Sequence, residues 1–349
     1  MTRSACLIFN PVAGQSDSEQ DLATIKRILE PEFELDLQQT TKEVSGGELA
    51  RRAVERQVEM VIASGGDGTV SAVAEALIGS DIPLGVISRG TANAFANALD
   101  IPDNLEAACQ VIVDGATKKV DAAMCSDRPM ILLAGIGFEA ETVEDADRET
   151  KDRLGMLAYV LSGLKQLKEF KQFSTTLETD DKIIRVDANA ITVANAAPNT
   201  SVLAHGTAGV IYDDGLLDVT IITPTTRAGA IAISYHLLQS ASNDEAASRD
   251  DIGYLRTKKI KVTTEPPQKI ALDGELIGET PVEIECLPQA LTVLIPQEKA
   301  VQATEKLEHL PGIQIEYKDA ASQNSESGID LESALDRGTA IDPQKFIDS

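Results

Sequence analysis

The stretch "IASGGDGTVSAV", Ile62 to Val73, sets Gly65, Gly66 and Gly68 around one aspartate, Asp67, where an apolar run gives way to a helical pattern. Bare backbone at a helix N-terminus suits an anion, because exposed N–H groups and the helix dipole both favour negative charge. An acidic side chain belongs there only if a divalent cation or a hydroxyl comes between it and the anion. Nucleotides arrive with Mg2+, which gives Asp67 such a reason. A plainer reading makes Asp67 a helix cap, since Asp is a favoured N-cap residue. The two readings separate on folding: replacing a ligand-facing Asp67 by alanine leaves stability nearly intact, whereas replacing a capping one does not. Two further loops bear on the choice. "FNPVAG" puts Asn10, Pro11 and Gly14 where a first helix begins, and "SRGTANAFA" puts Gly90, Thr91 and Asn93 at the start of another. Each alone would pass for a turn; together on one sheet edge they would form a nucleotide cleft.

Such loops need a scaffold that gathers them. From Ala5 to about Asp121, "ACLIFN", "FELDLQQ", "EMVIAS" and "PLGVIS" read as strands, and helical patterns such as "DLATIKRILE", "GGELARRAVERQV", "TVSAVAEALIGS", "TANAFANALD" and "NLEAACQVIVDGA" fall between or after them. That alternation predicts βαβ units and a parallel sheet covered on both faces, with the ligand beyond the carboxyl ends of the strands. From "VDAAMCSD" onward the texture changes to short strands: "PMILLAGIGF", "FSTTLET", "IIRVDANAITVAN", "LLDVTIIT", "KKIKVTT", "KIALDGELI", "TPVEIECL" and "ALTVLIP". Short strands punctuated by turns predict an antiparallel sandwich or barrel. The fold class is therefore α/β plus all-β. The expected division is a nucleotide-binding domain over residues 1–122, a β-sandwich substrate domain over 123–297, a return segment over 298–318 and a polar, acidic tail over 319–349 whose composition predicts disorder.

Bulk composition removes several functions. A net charge of −25 argues against nucleic acid, whose phosphates need a basic footprint. With no tryptophan and 3% aromatic residues, base-stacking platforms are also missing. No apolar run reaches the roughly 18 to 20 residues that cross a bilayer. The start, "MTRSACLIFNP", has neither an apolar h-region nor a cleavage site, so a cytoplasmic location is expected. Cys6, Cys109, Cys125 and Cys286 are scattered, the pattern of reduced, buried thiols.

In their order, "NPVAG", "GGDGTV", "GTANAFA", "DDGLLDV" and "LDGE" resemble the diacylglycerol kinase catalytic family, in particular bacterial soluble kinases of diacylglycerol and phosphatidylglycerol type. The likeness spans about Ala5 to Pro296. It implies an ATP site between the domains, with Asn10, Pro11, Val12, Ala13 and Gly14 on one side. Gly65, Gly66, Asp67, Gly68, Thr69, Val70, Ser71 and Ala72 would line the other, together with Thr91 and either Thr40 or Thr41. It also implies that Asp67 reaches the Mg2+–phosphate group and that Glu275 accepts the hydroxyl proton, with Asp273 its competitor or metal-binding partner. Read without the family, Asp273-Gly274 is a common hairpin turn pair. The resemblance further implies a structural Mg2+ held by the Asp214 carboxylate and the carbonyls of Ile211 and Leu216; by itself "DDG" is a β-turn. One departure stands out: family members commonly carry aspartate after the asparagine of "GTAN", and this chain has Ala94.

The expected partner is a lipid substrate met at a membrane surface. "RLGMLAYVLSGLKQLKEFK" puts Leu154, Leu157, Leu161 and Leu164 on one helical face with Lys165 and Lys168 nearby, either a packed helix or a membrane-touching one. His205 and the other histidines lack metal-ligand spacing. The sandwich's edge strands leave room for a homodimer. The leading expectation is an ATP-dependent lipid kinase; the alternatives are an NAD kinase, which shares "GGDG", and a nucleotide-binding pseudokinase that kept the fold.

Overall fold

The computed structural model describes residues 3–14, 17–114, 116–137, 172–198, 210–223, 250–296, 312 and 314–317. The helical pattern anticipated around residues 154–170, His205 and the acidic tail lie outside the described residues.

The first half is built on four parallel strands, β1 (Arg3–Phe9), β2 (Phe33–Gln39), β3 (Val61–Gly65) and β4 (Leu84–Ser88), in the spatial order β4-β3-β1-β2. Every residue of β3 and β4 is buried, as strands covered on both faces require. The covering helices are α1 (Ser18–Leu29), α2 (Gly46–Glu55), α3 (Asp67–Leu77), the short α4 (Ala94–Ala98) and α5 (Leu105–Asp114). Their starts follow from local chemistry. Asp17 caps α1 by accepting from the Glu19 N–H, and Ser45 caps α2 by accepting from the Glu48 N–H. The α2 and α3 backbones approach closely because α2 opens with two glycines. A Cβ on Gly47 would stand 2.8 Å from the Ala72 carbonyl oxygen.

The second half forms a sandwich. Strands β5 (Thr117–Cys125), β6 (Arg128–Met130), β8 (Phe173–Thr179), β9 (Lys182–Ala188), β13 (Lys259–Glu265), β16 (Val282–Leu294) and β17 (Gln314–Tyr317) extend the parallel strands into one eleven-stranded sheet. The junction is Val293 of β16, paired parallel with Leu84 of β4. A separate antiparallel sheet of six strands, β7 (Leu133–Gly137), β10 (Ala190–Ala194), β11 (Leu217–Ile222), β12 (Ile252–Thr257), β14 (Lys269–Leu272) and β15 (Glu275–Glu279), runs in the order β12-β11-β10-β7-β14-β15. Side chains of both sheets, among them Leu177, Ile184, Val262 and Ile284 from one and Ile136, Val193, Val219 and Leu255 from the other, fill a common core. Leu291, Val293, Leu294 and Ile295, at the end of β16, pack instead in the core of the first half. β16 thus ties the two halves together.

Several sequence expectations change in detail. "IIRVDANAITVAN" is two strands, β9 and β10, on different sheets; the chain changes sheet at Asn189, whose N–H donates to the Ile222 carbonyl at 2.8 Å. "TPVEIECL" and "ALTVLIP" belong to one strand, β16, with an irregularity between Leu287 and Leu291. "TANAFANALD" yields only five helical residues, because Asn93 sits in the left-handed region at φ 49°. The four cysteines are free and buried; burial pushes the Cys109 and Cys286 thiols up to about 12, so they are poor nucleophiles.

Candidate active site

The three anticipated loops follow β1, β3 and β4, neighbouring strands of one sheet, and they are bonded to one another. The Asn10 amide donates to Thr69 Oγ1 at 2.8 Å, tying the first loop to the second, while Asn10 Oδ1 accepts from the Val12 N–H at 3.1 Å and shapes its own turn. Gly14 sits at φ 87°, and Val12 is 88% exposed at the loop tip. The second and third loops meet through their glycines: a Cβ on Gly90 would come within 2.9 Å of Gly66 Cα. No side chain caps α3, whose N-cap is Gly66. A Cβ on Gly68 would meet nothing within 4 Å, so open space lies over the first turn of that helix.

Asp67 is a cap after all, but of another helix. Its carboxylate accepts from the Asn93 N–H at 3.0 Å and the Ala94 N–H at 2.5 Å, fixing the start of α4. Burial raises the Asp67 pKa from the ordinary carboxylate value, and these two N–H donors oppose the rise. Asn93 completes the third loop: its Oδ1 accepts from the Gly90 N–H at 2.9 Å and its amide donates to Asp103 at 3.0 Å. Where the resemblance leads one to expect aspartate, Ala94 offers this backbone N–H and a methyl packed against the core, with no carboxylate. Thr40 and Thr41 differ in their local bonding. The Thr41 hydroxyl is taken up by the Glu43 and Val44 N–H groups and the Glu43 carboxylate. That leaves half-buried Thr40 at the end of β2, its N–H held by the Phe9 carbonyl at 3.0 Å. Thr69 lies in the loop cluster and Thr91 is exposed at its rim. Val70 and Ser71 are buried, and Ala72 backs onto α2.

The "LDGE" stretch is a two-residue hairpin turn between β14 and β15. Asp273 and Gly274 both take positive φ, 46° and 87°, the conformation such turns demand. Asp273 does more than turn the chain. Its two oxygens accept from the N–H groups of Ile131 (2.9 Å), Leu132 (3.1 Å) and Leu133 (2.8 Å). Burial nevertheless pushes its pKa up to about 6, against the pull of those three donors. Glu275, two residues on, is exposed at the start of the edge strand β15. The pair of acids therefore divides its work: Asp273 is locked to backbone, and Glu275 is the carboxylate presented to solvent.

Helix α3 connects the two clusters. Glu75 lies eight residues after Asp67, about 12 Å along the axis. Its pKa is raised by burial first, then by the negative charges of Asp273 and Glu275. One helix thus starts at the glycine loops and ends within the field of the carboxylates of the other half.

At the third anticipated site, Asp214 Oδ1 accepts from the Leu216 N–H at 3.1 Å, and Oδ2 pairs with the Arg256 guanidinium. The same arginine holds Asp218 Oδ1 at 2.9 Å, directly across from it in the β11–β12 register. Asp121 of β5 accepts from the Gly215 N–H at 2.6 Å and the Gln289 N–H at 2.7 Å, clamping the 211–216 turn. Among the described residues Asp218 Oδ2 is buried with no hydrogen-bond partner, and burial pushes that acid up to about 6 against the charge of Arg256 and a backbone N–H bond from Ile211. Among the described residues no three acid, histidine or cysteine side chains converge enough to cage an ion alone. A cation here would rely on carbonyl oxygens as well. Both oxygens of Asp214 and both of Asp121 are already taken by backbone N–H groups or Arg256, and Asp213 pairs with Lys118, so the described side chains form an ion-paired, clamped turn.

Sequence reading missed Asp121, Arg256 and Glu75, which lie in strands or a helix with no motif around them, and gave no role to Asp218, the last acid of "DDGLLDV". It also missed Asn195, 1% exposed, whose amide donates to the carbonyls of Asp121 (3.0 Å) and Ile131 (2.9 Å) and so links the acidic turn to the segment that holds Asp273.

Comparison with known proteins agrees with this layout. The family model of the diacylglycerol kinase catalytic domain matches residues 4–125, and that of the YegS C-terminal NAD kinase beta sandwich-like domain matches residues 133–295. An uncharacterised protein of Synechocystis sp. is 46% identical over 310 residues, covering 86% of this chain and 72% of the relative. A protein of Bacillus subtilis named diacylglycerol kinase is 29% identical over 306 residues, covering 86% of this chain and 99% of its own. A crystal structure described as a diacylglycerol kinase from Bacillus anthracis shares the fold, with a TM-score of 0.66 at 23% identity over 84% of this chain and 97% of its own. The two family models span most of the chain, one on each half of the fold, and on these grounds the chain belongs to the diacylglycerol kinase catalytic family and is a phosphotransferase of the lipid-kinase type.

Proposed function

We propose that the protein transfers the γ-phosphoryl group of Mg2+-bound ATP to a hydroxyl of diacylglycerol or a related lipid met at a membrane surface. The course of α3 carries this reading, because it begins under the open glycine loops and its Glu75 feels the negative charges of Asp273 and Glu275. The N–H groups at the start of α3 and the Asn10–Gly14 loop, with Thr40 and Thr91 at the rim, hold the triphosphate. Glu275 accepts the proton of the lipid hydroxyl as that oxygen bonds to the γ-phosphorus; the bond from that phosphorus to the bridging oxygen breaks, and ADP departs. Asp273 sets the turn that aims Glu275, and Asp67 fixes the third loop. Mg2+ neutralises phosphate charge when bound, and Asp214 with the carbonyls of Ile211 and Leu216 would hold a structural ion. No described helix is long and apolar enough to cross a membrane, so the lipid would be reached from the surface.

The deciding assay offers purified protein γ-labelled ATP with diacylglycerol in mixed micelles, and separately with NAD. Label in the lipid product is expected. Label in NAD alone would favour the dinucleotide kinase reading, and none in either would leave the pseudokinase. A second check tests the cradle. Gly68→Ala should fold as well as the parent, since its Cβ meets nothing, yet bind ATP more weakly because the methyl fills the space over the helix start. Gly65→Ala, whose Cβ would stand 2.7 Å from Thr69 Cβ, should lose stability as well. Unchanged ATP affinity in Gly68→Ala would move the triphosphate elsewhere.

A further inference from the structure

Beneath the loops lies a buried cation that the mechanism above does not use. Arg89 follows β4 directly and is 6% exposed. Its N–H donates to the Gly65 carbonyl at 2.7 Å, binding the third loop to the second. Its side chain then crosses to the first loop, where Nη1 donates to the Asn10 carbonyl at 2.9 Å. Nε donates to Asp21 of α1 at 2.8 Å, and the guanidinium lies 4.4 Å from the centroid of the Phe9 ring. One residue thus touches the ends of β1, β3 and β4 and the first helix. Nη2, in contrast, is buried with no hydrogen-bond partner among the described residues.

A stability role alone explains this poorly. Buried ion pairs are often no better for folding than well-packed apolar side chains, and a buried donor left unpaired adds a cost. What an apolar residue cannot supply is the fork, which fixes a carbonyl on one segment and a carboxylate on another in one plane; a lysine offers a point charge instead. Asn10 is the acceptor that gains from this. Its amide reaches Thr69, its Oδ1 shapes the turn through Val12, and its carbonyl rests on Arg89.

We propose that Arg89 is a positioning residue for nucleotide binding, holding the Asn10–Gly14 loop at the height above the glycine-rich helix start that a triphosphate requires. This rests on the reading of those loops as the ATP site. Arg89 acts through Asn10, so its loss changes how ATP is held and leaves the acceptor side and Glu275 alone.

The test compares Arg89→Lys, Arg89→Met and Asp21→Asn with the parent by direct titration with Mg2+–ATP, by steady-state kinetics and by urea unfolding. Breaking a hydrogen bond to a charged group is expected to raise the KM for ATP in Arg89→Lys by about tenfold or more. The KM for the lipid and kcat should stay near the parent values. Asp21→Asn, which keeps the Nη1 bond to Asn10, should raise the KM for ATP less. If Arg89→Met does not fold, the lysine and Asp21 variants still decide. A folded Arg89→Lys with parental ATP affinity overturns the proposal, as does a change that falls equally on kcat and both KM values. Failure of the parent to bind Mg2+–ATP in the titration sinks the nucleotide-site reading itself, and the role of Arg89 with it.

Discussion

Glu275→Gln is expected to lower phosphoryl transfer to lipid by about 10²- to 10⁴-fold, the range a general base contributes, while ATP binding and folding survive. The substitution keeps the shape of the side chain and removes its ability to take a proton. Nothing in the fold depends on that carboxylate: Glu275 is exposed, and among the described residues it makes no hydrogen bond or ion pair. Surface changes of that kind usually alter stability by no more than about 0.5 kcal/mol. The contrast is Asp273, whose oxygens hold three backbone N–H groups. Asp273→Ala would strand those donors and cost about 2 to 5 kcal/mol of stability, since each buried, unsatisfied group costs about 1 to 3 kcal/mol and partial hydration reduces the sum. The two variants measured side by side, by turnover with labelled ATP and by urea unfolding, should fail in opposite assays. An active Glu275→Gln protein would remove Glu275 as the base and turn attention to Glu75, which feels the charges of Asp273 and Glu275.

How much of this was legible in the sequence depends on the range of the interactions. Strands β1, β3 and β4 and helices α1 to α3 follow from local period and composition, and so do the loops, because glycine at a strand-to-helix junction marks them directly. The Asp273-Gly274 turn was legible for the same reason: two positive φ values in succession call for such a pair. The β12 strand, "IGYLRT", passed unread: its nearly continuous burial gives no alternation, although Asp250 and Asp251 turn the chain just before it. The roles of the acids were less accessible still. That Asp67 caps a helix 27 residues away, that Asp273 bonds a segment 140 residues earlier, and that Asp121 clamps a turn 94 residues on are facts of tertiary placement. A motif names the residue type there; only the fold says which N–H it faces.

That distinction has its largest consequence at Asp67. Asp67→Ala is expected to cost about 2 to 4 kcal/mol of stability as well as most of the ATP affinity, because hydrogen bonds to a charged acceptor contribute about 1.5 to 3 kcal/mol each. The lower part of that range is favoured by burial, which raises the Asp67 pKa and so makes the charged form costly to keep in the folded protein. With the carboxylate gone, the Asn93 and Ala94 N–H groups lose their acceptor, and Asn93 is a non-glycine residue held at φ 49°. Release of that strained residue would let the Gly90–Asn93 loop swing away from Gly66, and the cradle would open. Asp67→Asn separates charge from geometry, since its amide oxygen can still accept one of the two N–H groups. It should recover part of the stability, and the ATP affinity should follow the stability. Were Asp67 needed only to face a metal ion, both variants would unfold like the parent and differ from it in turnover alone. Urea unfolding of the parent and the two variants, followed by ATP titration, tells these outcomes apart. A parental unfolding curve for Asp67→Ala would mean that the bonds to Asn93 and Ala94 do not hold the third loop in place.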